Sequence, residues 1–263
     1  MTRLAVVGGG KMGSALVSGL LDAGWAEPAE LSVVEVAEVR RAELVTSLEG
    51  VDVRADVPAC EGAVVAVKPG DVPAACQALA LVGVRRVLSI AAGVPLAKLE
   101  SWLGDEVAVV RAMPNTPALV GAGAAAIAPG AAASEEDLAW ADSILSAVGT
   151  VVRVPEALLD AVTGLSGSGP AYVFLLAEAL IDAGVLVGLS RDISTTLAIQ
   201  TLLGSARLLA ETDSGPEALR AAVTSPGGTT AAGLRALEAR AVRAAVAEAV
   251  VAATERSREL GRS

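Results

Sequence analysis

Residues 3–21 constrain the fold of this chain more than any other segment. A short apolar run of strand type, Arg3-Leu4-Ala5-Val6-Val7, enters Gly8-Gly9-Gly10-Lys11-Met12-Gly13. That segment opens onto Ser14-Ala15-Leu16-Val17-Ser18-Gly19-Leu20-Leu21, where Ala15, Leu16, Gly19 and Leu20 share a helical face. Strand, G-x-G-x-x-G and helix, in that order, form the first turn of a dinucleotide-binding βαβ unit. Gly8 permits the tight turn, Gly10 lets the backbone approach a pyrophosphate, and Gly13 lets the helix pack closely on the strand. Free amides at the helix start, with a dipole contribution of roughly 0.3–1 kcal/mol, favour negative charge there. The expected cofactor cradle is Gly8, Gly9, Gly10, Lys11, Met12 and Gly13.

The next strand is expected at Leu31-Ser32-Val33-Val34, with Glu35 at the end that meets the adenosine ribose in such folds. A carboxylate accepts hydrogen bonds from both ribose hydroxyls. Against a 2′-phosphate at ~4 Å it costs about 1 kcal/mol in water-like surroundings and ~4 kcal/mol at an effective dielectric near 20. Glu35 alone therefore favours NAD(H). Arg40 and Arg41 oppose that if they swing over a phosphate, and otherwise form a solvated helix face, so the sequence admits NAD or NADP.

Hydrophobic residues make up 53% of the chain and aromatics 2%, so the core is built from Ala, Val and Leu. A net charge of −10 argues against nucleic acid or an anionic membrane as partner. The chain has no His, and Cys60 and Cys76 form no CxxC pair, so no metal site is expected and the thiols are read as free and buried. The first strand begins without the regions of a signal sequence. Ala171–Leu189, the most apolar stretch, contains Glu178, Asp182 and glycines, which favours a buried helix over a membrane span. These features fit a cytoplasmic enzyme.

Up to about residue 154, short apolar runs at 63–67, 87–90, 107–110 and 151–154 alternate with helical patterns, the rhythm of a parallel sheet wound with helices. After Pro155 the pattern turns helical, at Ala171–Val187, Ile193–Glu211 and Thr230–Leu260. The expected fold is α/β, with a Rossmann-type parallel-sheet domain at 1–155 and an all-helical domain at 156–263. The last helix is apolar on more than one face, through Val242, Ala245, Val246, Ala249 and Val250, which predicts a dimer with interlocked helical domains.

Ligands of open parallel sheets bind beyond the carboxyl ends of the strands. Four segments end strands in that way: Gly8–Gly13, Val67-Lys68-Pro69-Gly70, Ser89-Ile90-Ala91-Ala92-Gly93 and Arg111-Ala112-Met113-Pro114-Asn115-Thr116-Pro117. Each alone also reads as turn chemistry. Far along the chain, Ser225-Pro226-Gly227-Gly228-Thr229-Thr230 leads into another helix. Two glycines before a helix start expose backbone amides and Thr230 adds a hydroxyl, a setting for a small carboxylate as well as for a plain helix cap.

With Ala66-Val67-Lys68-Pro69 and Gly167-Ser168-Gly169-Pro170-Ala171-Tyr172, these motifs make nearly the whole chain resemble the pyrroline-5-carboxylate reductase family, which makes L-proline. The resemblance implies a Rossmann domain, a helical dimerisation domain, an active site between two subunits, and dimers that often assemble into rings of five, a decamer. It assigns Gly8, Gly10, Gly13, Ala66, Val67, Lys68 and Pro69 to the cofactor, with Ala91 beside them and Asn115 near the nicotinamide end. It assigns Ser225, Gly227, Gly228, Thr229 and Thr230 to the substrate carboxylate, Thr230 as the catalytic position. Members commonly use NADPH and often carry a neutral or basic residue where this chain has Glu35.

Reduction of a ketone requires protonation of a developing alkoxide, commonly by His or Lys. This chain has no His, and its lysines, Lys11, Lys68 and Lys98, all precede the helical domain. That argues against related hydroxyacid dehydrogenases, which rely on a lysine there. A protonated cyclic imine needs mainly orientation. Two other readings remain beside it: a reductase of another cyclic imino acid or hydroxyacid, and a non-catalytic dinucleotide-binding protein.

Overall fold

The computed structural model describes residues 2–262, which pack as two compact units, one of residues up to 168 together with those from 251 onward, the other Gly169–Val250. The first unit holds one eight-stranded sheet. Its strands are β1 (Thr2–Val7), β2 (Leu31–Val34), β3 (Asp52–Arg54), β4 (Cys60–Val65), β5 (Arg86–Ser89), β6 (Ala108–Met113), β7 (Gly123–Pro129) and β8 (Gly149–Arg153). They lie in the order β3-β2-β1-β4-β5-β6-β7-β8. Every neighbouring pair is parallel except β6 and β7.

The period of two along each strand sends alternate side chains to two cores. Leu4, Val6, Val64, Leu88 and Val110 face one side, with Leu16 and Leu20 of α1 (Lys11–Asp22), Leu44 of α2 (Glu38–Ser47), and Trp140 and Ile144 of α5 (Glu135–Ser146). Ala5, Val7, Ala63, Val65, Val87 and Val109 face the other, with Cys76 and Leu79 of α3 (Val72–Leu81), and Leu99 and Leu103 of α4 (Leu96–Leu103). A sheet buried on both faces explains why its strands are continuous apolar runs.

The sequence pattern passes over β3 and β7. β3 is three residues long, and β7 reads Gly-Ala-Ala-Ala-Ile-Ala-Pro, alanines with little strand preference that stay small where Leu159 packs beside Ala126 and Ala128. Beyond β8 come α6 (Leu159–Val162) and a π-helical turn (Thr163–Gly167) in which the Ser168 amide donates to the Thr163 carbonyl.

The second unit contains α7 (Gly169–Leu186), α8 (Arg191–Glu211), α9 (Pro216–Ala222), α10 (Thr229–Ala239) and the start of α11 (Val242–Arg262). The single helix expected at Thr230–Leu260 is thus two helices. They part at Ala241, whose φ of 53° is left-handed, and no glycine or proline announces the break. α7, expected as a buried helix, exposes Val173, Phe174, Leu175 and Leu176 in the single chain, as α8 does Ile193, Leu197 and Ile199. The stretch Glu156–Leu186 has the length and apolarity of a membrane-crossing helix, an 18-residue window in it having a mean hydropathy of 1.5.

Candidate active site

The sheet order places β1 between β2 and β4, so the chain leaves the carboxyl end of β1 toward one side and resumes on the other. That divergence opens a crevice of about 540 Å³ whose lining includes Gly8, Gly10, Glu35, Ala66, Val67 and Lys68, together with Asp56, Val57 and Asp71. Gly8 has φ +111°, and a Cβ there would sit 2.6 Å from the Ala66 carbonyl oxygen. A Cβ on Gly13 would run into the Gly8 carbonyl. The lack of a Cβ at Gly8 lets the loop pass close to the end of β4, and at Gly13 it lets α1 sit close against the loop. Gly10 is different: a Cβ there meets nothing within 4 Å, and Gly10 caps α1 with no side-chain hydrogen bond. The start of α1 is therefore uncapped and unobstructed at Gly10, which fits the pyrophosphate of a dinucleotide.

Around that cradle, Lys11 and Lys68 are exposed, Met12 is part-buried against the core, and Pro69 starts a short helical turn, Pro69–Asp71, that leads into α3. The Ala66 amide donates to the Val7 carbonyl, tying β4 to β1 at their ends. Glu35 touches the glycine loop directly, since Gly9 donates its amide to Oε2 at 3.1 Å and Ala37 donates to Oε1 at 2.9 Å. Arg40 donates through Nε to the Gly9 carbonyl, and Arg41 to the carbonyls of Glu35 and Val36.

Two strands further along, Ala91 is buried and its amide meets the Ser89 hydroxyl at 3.4 Å. Asn115 is 9% exposed and both ends of its side chain are engaged. Nδ2 donates to the Ser166 carbonyl at 3.0 Å, and Oδ1 accepts from the Ala124 amide at 2.8 Å. What Asn115 offers a ligand is thus its backbone setting. Sequence reasoning missed this partner, and it missed Glu156, whose Oε1 accepts from Arg111 at 2.8 Å and from the Leu96 amide at 2.7 Å. Neither has a local signal, because each joins segments far apart in the chain.

In the second unit, the Gly228 amide donates to the Ser225 carbonyl at 3.1 Å, with Pro226 and Gly227 between them and Gly227 at φ +70°. This is a type II turn, which needs a left-handed residue in its third place. Gly228 then caps α10 without any side-chain hydrogen bond, leaving the amides of Thr229, Thr230 and Ala231 uncapped. Thr229 is exposed and Thr230 half-buried. A carboxylate needs such donors, and no lysine accompanies them in this unit.

A larger cavity, about 660 Å³, lies at the amino ends of β4 and β5 beside Glu61, Arg85, Arg86, Ser134 and Asp137. There the start of α5 carries its own capping box, Ser134 with Asp137, and three acids in its first turn, which set it against an anion. Among the described residues no group of three or more His, Cys, Asp or Glu is placed to hold a metal. Burial pushes the Cys60 and Cys76 thiols up to about 11, which removes them as nucleophiles.

Residues 156–260 match the family model of pyrroline-5-carboxylate reductase dimerisation, and residues 3–93 match that of the coenzyme F420-dependent NADP oxidoreductases. The chain is 45% identical to the pyrroline-5-carboxylate reductase of Methanosarcina acetivorans, across 99% of this chain and 98% of that one. This chain belongs to the pyrroline-5-carboxylate reductase family. The Coxiella burnetii pyrroline-5-carboxylate reductase superposes with a TM-score of 0.94 at 35% identity, covering 100% of this chain and 99% of that one. The Plasmodium falciparum pyrroline carboxylate reductase, solved with NADP bound, superposes with a TM-score of 0.85 at 32% identity, covering 99% and 98%. The reductase dimerisation model begins at Glu156, the partner of Arg111, and takes in the π-helical turn and the loop at 225–230. The nucleotide model ends at Gly93, so Asn115 lies outside both.

Proposed function

We propose that the chain reduces 1-pyrroline-5-carboxylate to L-proline, using NADH or NADPH as reductant. The observation that carries this reading is the uncapped start of α10 behind Ser225-Pro226-Gly227-Gly228, in a chain similar over 99% of its length to a pyrroline-5-carboxylate reductase.

When bound, the reduced nicotinamide supplies a hydride to the carbon of the ring's C=N bond. The loop of Gly8, Gly9, Gly10, Lys11, Met12 and Gly13 holds the pyrophosphate through the amides of its later residues, those of Gly8 and Gly9 being taken by the Val34 carbonyl and by Glu35, and Glu35 takes the adenosine ribose. Ala66, Val67, Lys68 and Pro69 line the crevice, and the backbone of Ala91 and Asn115 borders the nicotinamide end. Ser225, Gly227, Gly228, Thr229 and Thr230 hold the substrate carboxylate, the Thr230 hydroxyl adding a donor to the amides. The ring nitrogen arrives protonated and keeps the electron pair of the C=N bond, so no side chain has to deliver a proton. Fixing the ring's position is the main task left to the protein. The uncapped amides, with no lysine near, suit that task.

Residues 1–155 serve the nucleotide and 156–263 the substrate and the dimer. We assign the exposed apolar side chains of α7 and α8 to a second copy of this chain, with the decamer as a further assembly. The dimerisation model across 156–260 supports this, as do Glu178 and Asp182 within α7, which suit an interface better than a bilayer. We assign the protein to the cytoplasm as part of the same proposal.

The test is direct. Purified protein, 1-pyrroline-5-carboxylate and either reduced cofactor should lose nicotinamide absorbance in step with proline formed, mole for mole. Absence of proline with both cofactors would contradict the proposal.

A further inference from the structure

We infer that the adenosine end of the crevice is built for a free ribose 2′-hydroxyl, so that this chain binds NADH in preference to NADPH, with Glu35 as the specificity-determining residue. The inference rests on the nucleotide reading of the crevice and adds the direction of its preference.

Glu35 is not a loose side chain at a strand end. Its carboxylate is held at both oxygens by backbone amides, Gly9 to Oε2 at 3.1 Å and Ala37 to Oε1 at 2.9 Å, while the side chain lines the crevice. An ionised carboxyl has about four acceptor sites on its two oxygens, so two amide bonds leave room for the two hydroxyls of a ribose. Admitting a 2′-phosphate asks the carboxylate to turn away. That would break both bonds and strand the amide of Gly9, a buried residue. Glu35 is fixed by the loop that it faces.

The cations that would have to compensate are committed elsewhere. Arg40 uses Nε on the Gly9 carbonyl at 2.9 Å, one terminal nitrogen on Glu43 at 2.7 Å, and the other on the Ser14 hydroxyl at 3.4 Å. Arg41 directs a terminal nitrogen to the carbonyls of Glu35 and Val36, at 2.9 and 2.7 Å. Neither arginine lines the crevice. The charged residues that do line it are Glu35, Asp56, Asp71 and Lys68, three acids and one base. Asp56 is paired with Arg54 at 2.7 Å, which lessens its charge without supplying a free cation. A phosphate added to the ribose brings further negative charge into surroundings already negative, and the repulsion from Glu35 alone corresponds to roughly a fivefold to several-hundredfold loss of affinity.

Binding, measured apart from turnover, tests this. Titration of the purified full-length protein with NADH and with NADPH, followed by tryptophan fluorescence or calorimetry, should give a Kd for NADH lower by about fivefold or more. Glu35→Ser should shrink that ratio at least severalfold, chiefly by tightening NADPH. Comparable constants for the two nucleotides in the wild type, tighter binding of NADPH, or a ratio that Glu35→Ser leaves in place would overturn the inference and leave the nucleotide site intact. Binding of neither nucleotide would overturn the inference together with the reading of the crevice. The wild-type ratio stands as a test on its own if Glu35→Ser does not fold.

Discussion

Asn115 and Ser166 are joined by a hydrogen bond from the side-chain amide of the first to the carbonyl oxygen of the second, 3.0 Å long. The same side chain accepts from the Ala124 amide, so one buried residue links the end of β6, the start of β7 and the π-helical turn. π-type turns are uncommon and gather at functional sites. This one is closed by Ser168 donating to the Thr163 carbonyl, and a Cβ on Gly167 would approach the Met113 methyl to 2.6 Å. The Met113-Pro114-Asn115 segment and the turn are therefore fitted to each other. Asn115→Ala, which leaves the part-buried Ser166 carbonyl and Ala124 amide without this partner, should destabilise the protein by ~1–3 kcal/mol. An unchanged denaturant midpoint would show that the two bonds contribute nothing.

The glycine loop offers a paired test. Gly13→Ala drives a methyl group into the Gly8 carbonyl and should cost ~1–3 kcal/mol of stability as an overpacked contact. Gly10→Ala puts its methyl in open space, so the fold should keep its stability to within about 0.5 kcal/mol while nucleotide affinity falls. Thermal melts with nucleotide titrations separate the two. Equal stability losses in both variants would remove the distinction between a packing glycine and a ligand-facing one.

At Gly227 the constraint is the backbone. Its φ of +70° makes an alanine there strained by about 1–2 kcal/mol. Gly227→Ala should raise KM for the imino acid and leave the Kd of the nucleotide unchanged. A shift in nucleotide affinity of the same size would mean that the loop's role is not confined to the substrate.

The two cysteines predict a pH effect and a chemical one. Each thiol is raised from 9.0 to about 11 by burial. Because the folded value exceeds the unfolded one, their contribution to stability is complete below about 9 and is lost as pH rises through 11. In native protein at neutral pH neither should react with an alkylating reagent, and both should react after unfolding. Rapid labelling of the native state would show that Cys60 or Cys76 is accessible.

The fold was most legible where periodicity and turn chemistry agree. Leu31–Val34 is a strand with the bounds that its apolar run predicts, and α1 begins directly behind the G-x-G-x-x-G turn. Legibility failed where side chains carry no pattern. The alanines of β7 say nothing of a strand, and its reversal against β6 is a matter of topology. The break at Ala241 uses a residue with no turn preference. The candidate site divides in the same way. Glycines and the Pro-Gly turn announce themselves because the backbone conformation demands them. The bonds from Asn115 to Ser166 and from Gly9 to Glu35 depend on where distant segments meet, and no local spacing encodes that.

The central claim is that the substrate's acid group is held by the start of α10 and the Thr230 hydroxyl, so that no protein acid is needed at the imine. Its sharpest test compares kcat/KM for 1-pyrroline-5-carboxylate with that for 1-pyrroline, the same ring without the carboxyl group, in the wild type and in Thr230→Ala. Removal of one charged hydrogen bond should lower the value for the acid by roughly tenfold to a hundredfold, ~1–3 kcal/mol, and leave that for 1-pyrroline unchanged. An equal fall on both rings, or no fall on either, would contradict the account.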